Sequence, residues 1–147
     1  MKMTLARALK ERSRLAGKLK RDFEIINREN SMISGSERSF DLRAVYAECR
    51  ELHEKLVALK KVIAAANAPI AGKLAEMDEV KSMITYLRGV NTTVGFKTRD
   101  YGNEKDYLEV VLGAAELTAE AERLQKRGEE LQDEIDVFNA VTEVEVP

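Results

Sequence analysis

Eight residues, Leu42, Val45, Cys49, Leu52, Leu56, Leu59, Ile63 and Ala66, recur in alternating steps of three and four. An α-helix turns once in about 3.6 residues, so this spacing places all eight on one narrow stripe. So narrow a stripe is buried by another helix lying along it, which is the coiled-coil arrangement. The seam therefore predicts a helix capped by Asp41 and running to about Ala66, roughly 39 Å long. It constrains architecture and names no reaction.

Three further segments share the period. The first helix is expected from Thr4, whose hydroxyl can cap the opening turn. Its seam reads Leu5, Leu9, Arg12, Ala16, Leu19, Phe23 and Ile26. A polar break follows from Asn30 through Gly35 to Ser39, residue types that favour turns over helix. Asn67 and Pro69 end the second helix and open the third, which carries Ile70, Leu74, Met77, Val80, Ile84 and Leu87 and fades near Gly89. The fourth helix carries Leu117, Ala121, Leu124, Gly128, Leu131, Ile135 and Phe138. Gly128 at a seam position costs about 1 kcal/mol against Ala and marks either a close helix approach or a weak point.

Between the third and fourth helices, residues 91–113 lose the helical period. Thr92, Thr93, Val94 and Phe96 favour strand, as does the run from Tyr107 to Leu112, and Asp100, Gly102 and Asn103 form a turn-rich stretch between them. A β-hairpin is expected there. The tail from Val141 to Val146 alternates like a strand with one apolar face.

The expected fold is mainly α: four long helices as two antiparallel coiled-coil hairpins in one helical-bundle domain over residues 1–147. The first hairpin is 1–66 and the second 70–139, with the β insertion at 91–113 and the tail strand at 140–147. The two hairpins resemble one another. A shift of 65 lays Leu5, Leu9, Glu11 and Leu15 on Ile70, Leu74, Glu76 and Val80, and a shift of 72 lays Leu52, Leu59, Ile63 and Asn67 on Leu124, Leu131, Ile135 and Asn139. Shared heptads alone give the leucine matches; the repeated Ile-x-x-x-Asn points to duplication. The two asparagines read as helix ends, with a ligand role as the rarer alternative.

Chemistry-bearing residues are few. His53 is the lone histidine and flanks the seam, where a solvated position is expected, and Arg50 stands where a di-iron Glu-x-x-His pair needs its Glu. Cys49 lies on the seam and reads as a small core residue. The glycines at 89, 95, 102 and 113 match neither a phosphate loop nor a dinucleotide fingerprint. No catalytic, cofactor or metal site is expected, and the chain reads as a non-enzyme. No stretch approaches the ~20 apolar residues of a membrane span. Arg7, Lys10, Arg12 and Arg14 occupy the place of a signal peptide's apolar core, so a soluble, cytoplasmic protein is expected.

Charge is unevenly spread. Through Arg21, eight basic residues stand against Glu11 alone, whereas the last 44 residues hold thirteen acidic and four basic ones. The favoured reading lays the basic first helix against the acidic fourth; the alternative makes it a nucleic-acid or anionic-surface binder. Within the seam, Arg12 either pairs with Glu76 or Asp78 across the first and third helices, setting register, or snorkels to solvent. The fourth helix separates Leu112 from Val141 by roughly 37 Å, so the tail strand is out of reach of the hairpin. Its apolar Val141, Val144 and Val146 then predict self-association as a homodimer or higher oligomer.

The run Leu5-Ala6-Arg7-Ala8-Leu9-Lys10-Glu11-Arg12, the stretch Leu74-Ala75-Glu76-Met77-Asp78 and the ending Asn139-Ala140-Val141-Thr142-Glu143 together resemble a small family of bacterial helical proteins of about this length. It is a domain of unknown function, some of whose members are labelled septicolysin. The family pattern has Arg where Met77 stands and Trp where Ala140 stands. The resemblance implies a helical fold and carries over no functional residue. The expected function is that of a structural or protein-interaction coiled-coil protein that self-associates.

Overall fold

The α2 seam is buried from Cys49 to Ile63 and half-buried at Leu42, Val45 and Ala66, and the first half of the chain is built on it. The computed structural model describes residues 1–98, 102 and 104–146. The helices are α1 (Leu5–Glu29), α2 (Leu42–Asn67), α3 (Ala71–Gly89) and α4 (Ala114–Val141), with strands β1 (Lys2–Thr4), β2 (Gly95–Thr98), β3 (Lys105–Leu108) and β4 (Glu143–Glu145). A 3-10 turn at Ala68–Ile70 joins α2 to α3 without a gap. The four separate helices expected from sequence are therefore three uninterrupted helical stretches, because Pro69 is accommodated in a tighter turn instead of breaking the rod. The chain divides into two compact units, one formed by Met1–Ile70 with Asp136–Pro147 and the other by Ala71–Ile135.

In the first unit α1 doubles back on α2. Thr4 caps α1 by accepting from the Arg7 amide at 3.3 Å, and Asp41 caps α2 by accepting from the Arg43 and Ala44 amides at 3.0 and 3.2 Å. Cys49, Leu52, Leu56, Leu59 and Ile63 are all buried, as their spacing required. The α1 seam differs from the expected one. Leu5, Ala8 and Leu15 are buried, whereas Ala16 and Phe23 are exposed. The contact stripe is thus rotated by one residue, about 100° of helix, at alternate positions. Ala8 is fully buried, and a side chain this small lets the helices approach closely, so the 8/15 flank packs better than the bulkier 9/23 flank.

A two-stranded sheet closes one side of this pair. β1 runs antiparallel to β4 with Met3 opposite Val144, both in the core. The ladder continues through the Leu5 amide to the Thr142 carbonyl at 2.8 Å and the Val146 amide to the Met1 carbonyl at 2.9 Å. The tail strand expected to seek a second chain therefore has a partner within its own. That partner, the amino-terminal strand β1, was not anticipated. Val141 is the last residue of α4 and exposed, Val144 is buried, and Val146 is half-buried.

At the far end of α1, Glu29 is 6% exposed and organises the loop to α2. Its carboxylate accepts from the Ser39 amide at 2.9 Å. The Arg38 guanidinium donates to the Glu29 carbonyl at 2.9 Å and the Asn30 carbonyl at 3.1 Å, satisfying helix-end acceptors.

In the second unit the seams are buried in part, with Leu74, Ile84, Leu87 and Leu124 half-buried. Met77 and Val80 are buried on α3 and Leu117, Ala121, Leu131 and Ile135 on α4. A Cβ built on Gly128 would stand 3.5 Å from Val80 Cγ1, an ordinary contact, so the helices pass closely there without excluding alanine. β2 and β3 form the expected hairpin, but shorter than the β-prone runs: Thr92–Val94 and Glu109–Leu112 lie outside it. Phe96 sits opposite Tyr107 with ring centroids 5.1 Å apart, edge to face. Of the turn-rich residues, Gly102 has φ +108°, which glycine adopts without strain; Asp100 and Asn103 lie outside the described residues. Asn67 ends α2 as expected, whereas Asn139 lies inside α4.

Two measurements test this packing. In urea unfolding, Leu15→Ala costs about 2–5 kcal/mol, whereas Phe23→Ala on the uncovered flank costs about 1 kcal/mol or less. Gly128→Ala raises stability by about 0.5–1 kcal/mol, because its methyl fits and helix propensity improves.

Candidate interaction surface

The groups that ordinarily carry chemistry are positioned against it. Cys49 is 1% exposed between α1 and α2. Burial pushes its thiol up from the ordinary 9.0, and the Asp22 and Glu48 carboxylates push it further. A nucleophilic cysteine needs the opposite environment. His53, one turn along α2, is exposed. Asp22 occupies a seam position of α1, and its Oδ2 is buried with no hydrogen-bond partner. Among the described residues no cluster of three or more His, Cys, Asp or Glu side chains is placed to hold a metal ion. No helix is long and apolar enough to cross a membrane.

The first unit instead presents a surface. Because α2 takes the 8/15 flank of α1, the 9/16/19/23 flank is left over. Leu9 and Leu19 are half-buried there, and Phe23 is 47% exposed. From α2, Tyr46 and Val57 are 53% and 39% exposed. Phe23, Tyr46, Leu19 and Cys49 line a cleft of about 220 Å3 that His53 and Glu54 rim, and a shallower depression continues along Val57, Ala58 and Val62. An apolar band of this kind, edged by charge, is the usual composition of a protein contact. The sequence marked Phe23 as core because its spacing fits; its exposure follows from the rotated seam.

The charges of the first unit are mostly matched locally. Arg14 binds Glu11 at 2.6 Å, Lys2 binds Glu143 at 2.9 Å, Lys18 pairs with Glu48, and Lys20 lies 4.0 Å from Glu24. The helix packed against α1 is α2, so its acidic neighbours come from α1, α2 and β4. Exposed pairs of this type contribute little to stability.

In the second unit Arg127 holds Glu76 through two bonds of 2.7 and 3.0 Å, Lys73 pairs with Glu134, and Arg88 donates to Gln125 at 2.9 Å. The expected register pair is therefore not formed as drawn. Arg12 is half-buried on α1 in the first unit, Asp78 is exposed on α3, and Glu76 gives both carboxylate oxygens to Arg127. The contact Glu76 does make joins α3 to α4. A cleft of about 810 Å3 runs beside these helices, lined by Leu87, Val90, Leu117 and Ala121 on its apolar side and by Glu122 and Glu129 on its acidic side.

These ion pairs set a pH dependence. Hydrogen bonding to Arg127 holds the Glu76 carboxyl below its ordinary 4.5, and hydrogen bonding to Lys73 does the same for Glu134. A depressed folded pKa stabilises above the ordinary carboxylate value and is lost as pH falls through the folded value. Thermal melts should therefore drop between roughly pH 5 and pH 3. Glu76→Gln with Glu134→Gln should flatten that acid limb while changing the melting temperature little at pH 3. An unchanged slope would assign the acid sensitivity elsewhere.

Comparison of the chain with protein families, with curated proteins and with solved structures finds no match.

Proposed function

We propose that this is a non-enzymatic interaction protein whose helices pair in coiled-coil fashion and whose copies self-associate through helix faces. The observation that carries the reading is the uncovered band of Phe23, Tyr46 and Val57 along α1 and α2. Aromatic side chains half in water are the groups that contribute most when a partner removes them from it. The buried, proton-retaining thiol of Cys49 supports the same reading from the other side, since it leaves no activated nucleophile beside His53. The tail strand no longer enters the case for association, because β1 occupies it.

A second reading, binding of nucleic acid or an anionic surface by α1, rests on the exposure of Arg7, Lys10 and Arg21. It requires affinity for duplex DNA that falls steeply with salt.

Light scattering of the full chain checks the first reading. Its mass should exceed the 16.5 kDa of one copy, and Phe23→Ser with Tyr46→Ser should weaken association about tenfold or more. A chain that stays monomeric at every concentration defeats the proposal.

A further inference from the structure

Two charged stripes of opposite sign lie on the outer faces of α1 and α4, and their spacings match. Along α1, Arg7, Lys10, Arg14 and Arg21 follow one another by three, four and seven residues, which holds them on one exposed face. Along α4, Glu122, Glu129, Asp133 and Asp136 follow by seven, four and three and are likewise exposed. Read from its carboxyl end, α4 repeats the α1 order. Each set spans about 21 Å at 1.5 Å per residue.

We infer that one copy of this chain lays the basic face of α1 antiparallel on the acidic face of α4 in a second copy. The inference rests on the self-association proposed above and names a surface for it that is separate from the apolar band. In this register Arg7 faces Asp136, Lys10 faces Asp133, Arg14 faces Glu129 and Arg21 faces Glu122. The cation inside the acidic stripe, Lys126, faces Gly17, and the acid that continues the basic stripe, Glu24, faces Ala119, so no like charges oppose each other within the stripes; on the flank Lys20 comes level with Arg123, which is held by Glu120. A parallel arrangement keeps three of the four pairs, Arg7 with Glu122, Arg14 with Glu129 and Arg21 with Asp136, but sets Lys10 against Gln125; the antiparallel one matches all four. Arg14 is already held by Glu11, and Asp136 also interacts within its own chain. Lys10 with Asp133 and Arg21 with Glu122 therefore carry the contact.

The same face suits other anionic partners less well. Its neighbours Ser13, Gly17 and Glu24 supply no apolar side chain to enter a bilayer. Glu24 in line with the arginines repels a phosphate backbone.

Salt and charge exchange test the inference together. Association of the full chain, followed by sedimentation, should weaken about tenfold or more between about 50 mM and about 500 mM NaCl. Lys10→Glu with Arg21→Glu should weaken it alone, and so should Glu122→Lys with Asp133→Lys. Mixing the two variants should restore it, because each reversed stripe then meets its complement; circular dichroism confirms that both are folded. Association that ignores salt and both double variants overturns this surface while leaving the apolar band as the contact. A monomer under all conditions overturns both proposals. Duplex DNA binding that is lost in Lys10→Glu with Arg21→Glu, with no change in mass, overturns the inference in favour of the polyanion reading.

Discussion

Two amphipathic helices laid side by side cannot cover all of each other's apolar surface, and the first unit is governed by that limit. α1 carries apolar residues on two adjacent flanks. The contact with α2 is won by the flank bearing Ala8 and Leu15, because a buried alanine brings the backbones together and dispersion gains grow with close contact. One open side is then closed by Met3 and Val144 from the β1–β4 sheet. The other stays open, and Phe23 and Tyr46 stand on it. The interaction reading and the shape of the core are therefore two results of a single choice of helix face.

The legibility of each element followed from how local its cause was. On α2 and α4 the seam has one apolar candidate at nearly every step, so the buried residues could be read directly, Cys49 included. The caps at Thr4 and Asp41 were equally plain, since each acts on amides two or three residues away. On α1 two overlapping stripes share Leu5, Arg12, Leu19 and Ile26, and an alanine gives no sign in sequence that it is the tighter contact. β1 is three residues long, too short for alternation to show, and its partner lies at the other end of the chain. The Glu29–Arg38 latch was also invisible, although the heptad continued from Leu15 through Asp22 does reach Glu29.

Electrostatics divides in a parallel way. Arg127 with Glu76 and Lys73 with Glu134 join α3 to α4, whereas the sequence reading had set Glu76 against Arg12. A heptad fixes which face a charge occupies, but not which neighbouring helix supplies its partner. The correspondence of the two segments in number sharpens the point. A shift of 72 carries the start of α2, Leu42, onto the start of α4, Ala114, so two segments of matching extent serve different neighbours. In the first the seam is closed by α1 and a sheet; in the second, α3 and α4 bury Met77, Val80, Leu131 and Ile135, and exposed ion pairs join them.

The β1–β4 pairing also bears on how the chain is made. Synthesis proceeds from the amino end, so β1, α1 and α2 leave the ribosome long before Val144 exists to cover Met3. During that interval the helical hairpin has two open sides instead of one. Contacts so distant in sequence form late and slowly, and the nascent first unit is consequently at its most adhesive while the second unit is still being translated. Emergence of β4 is thus the event that covers Met3 and closes this side of the first unit.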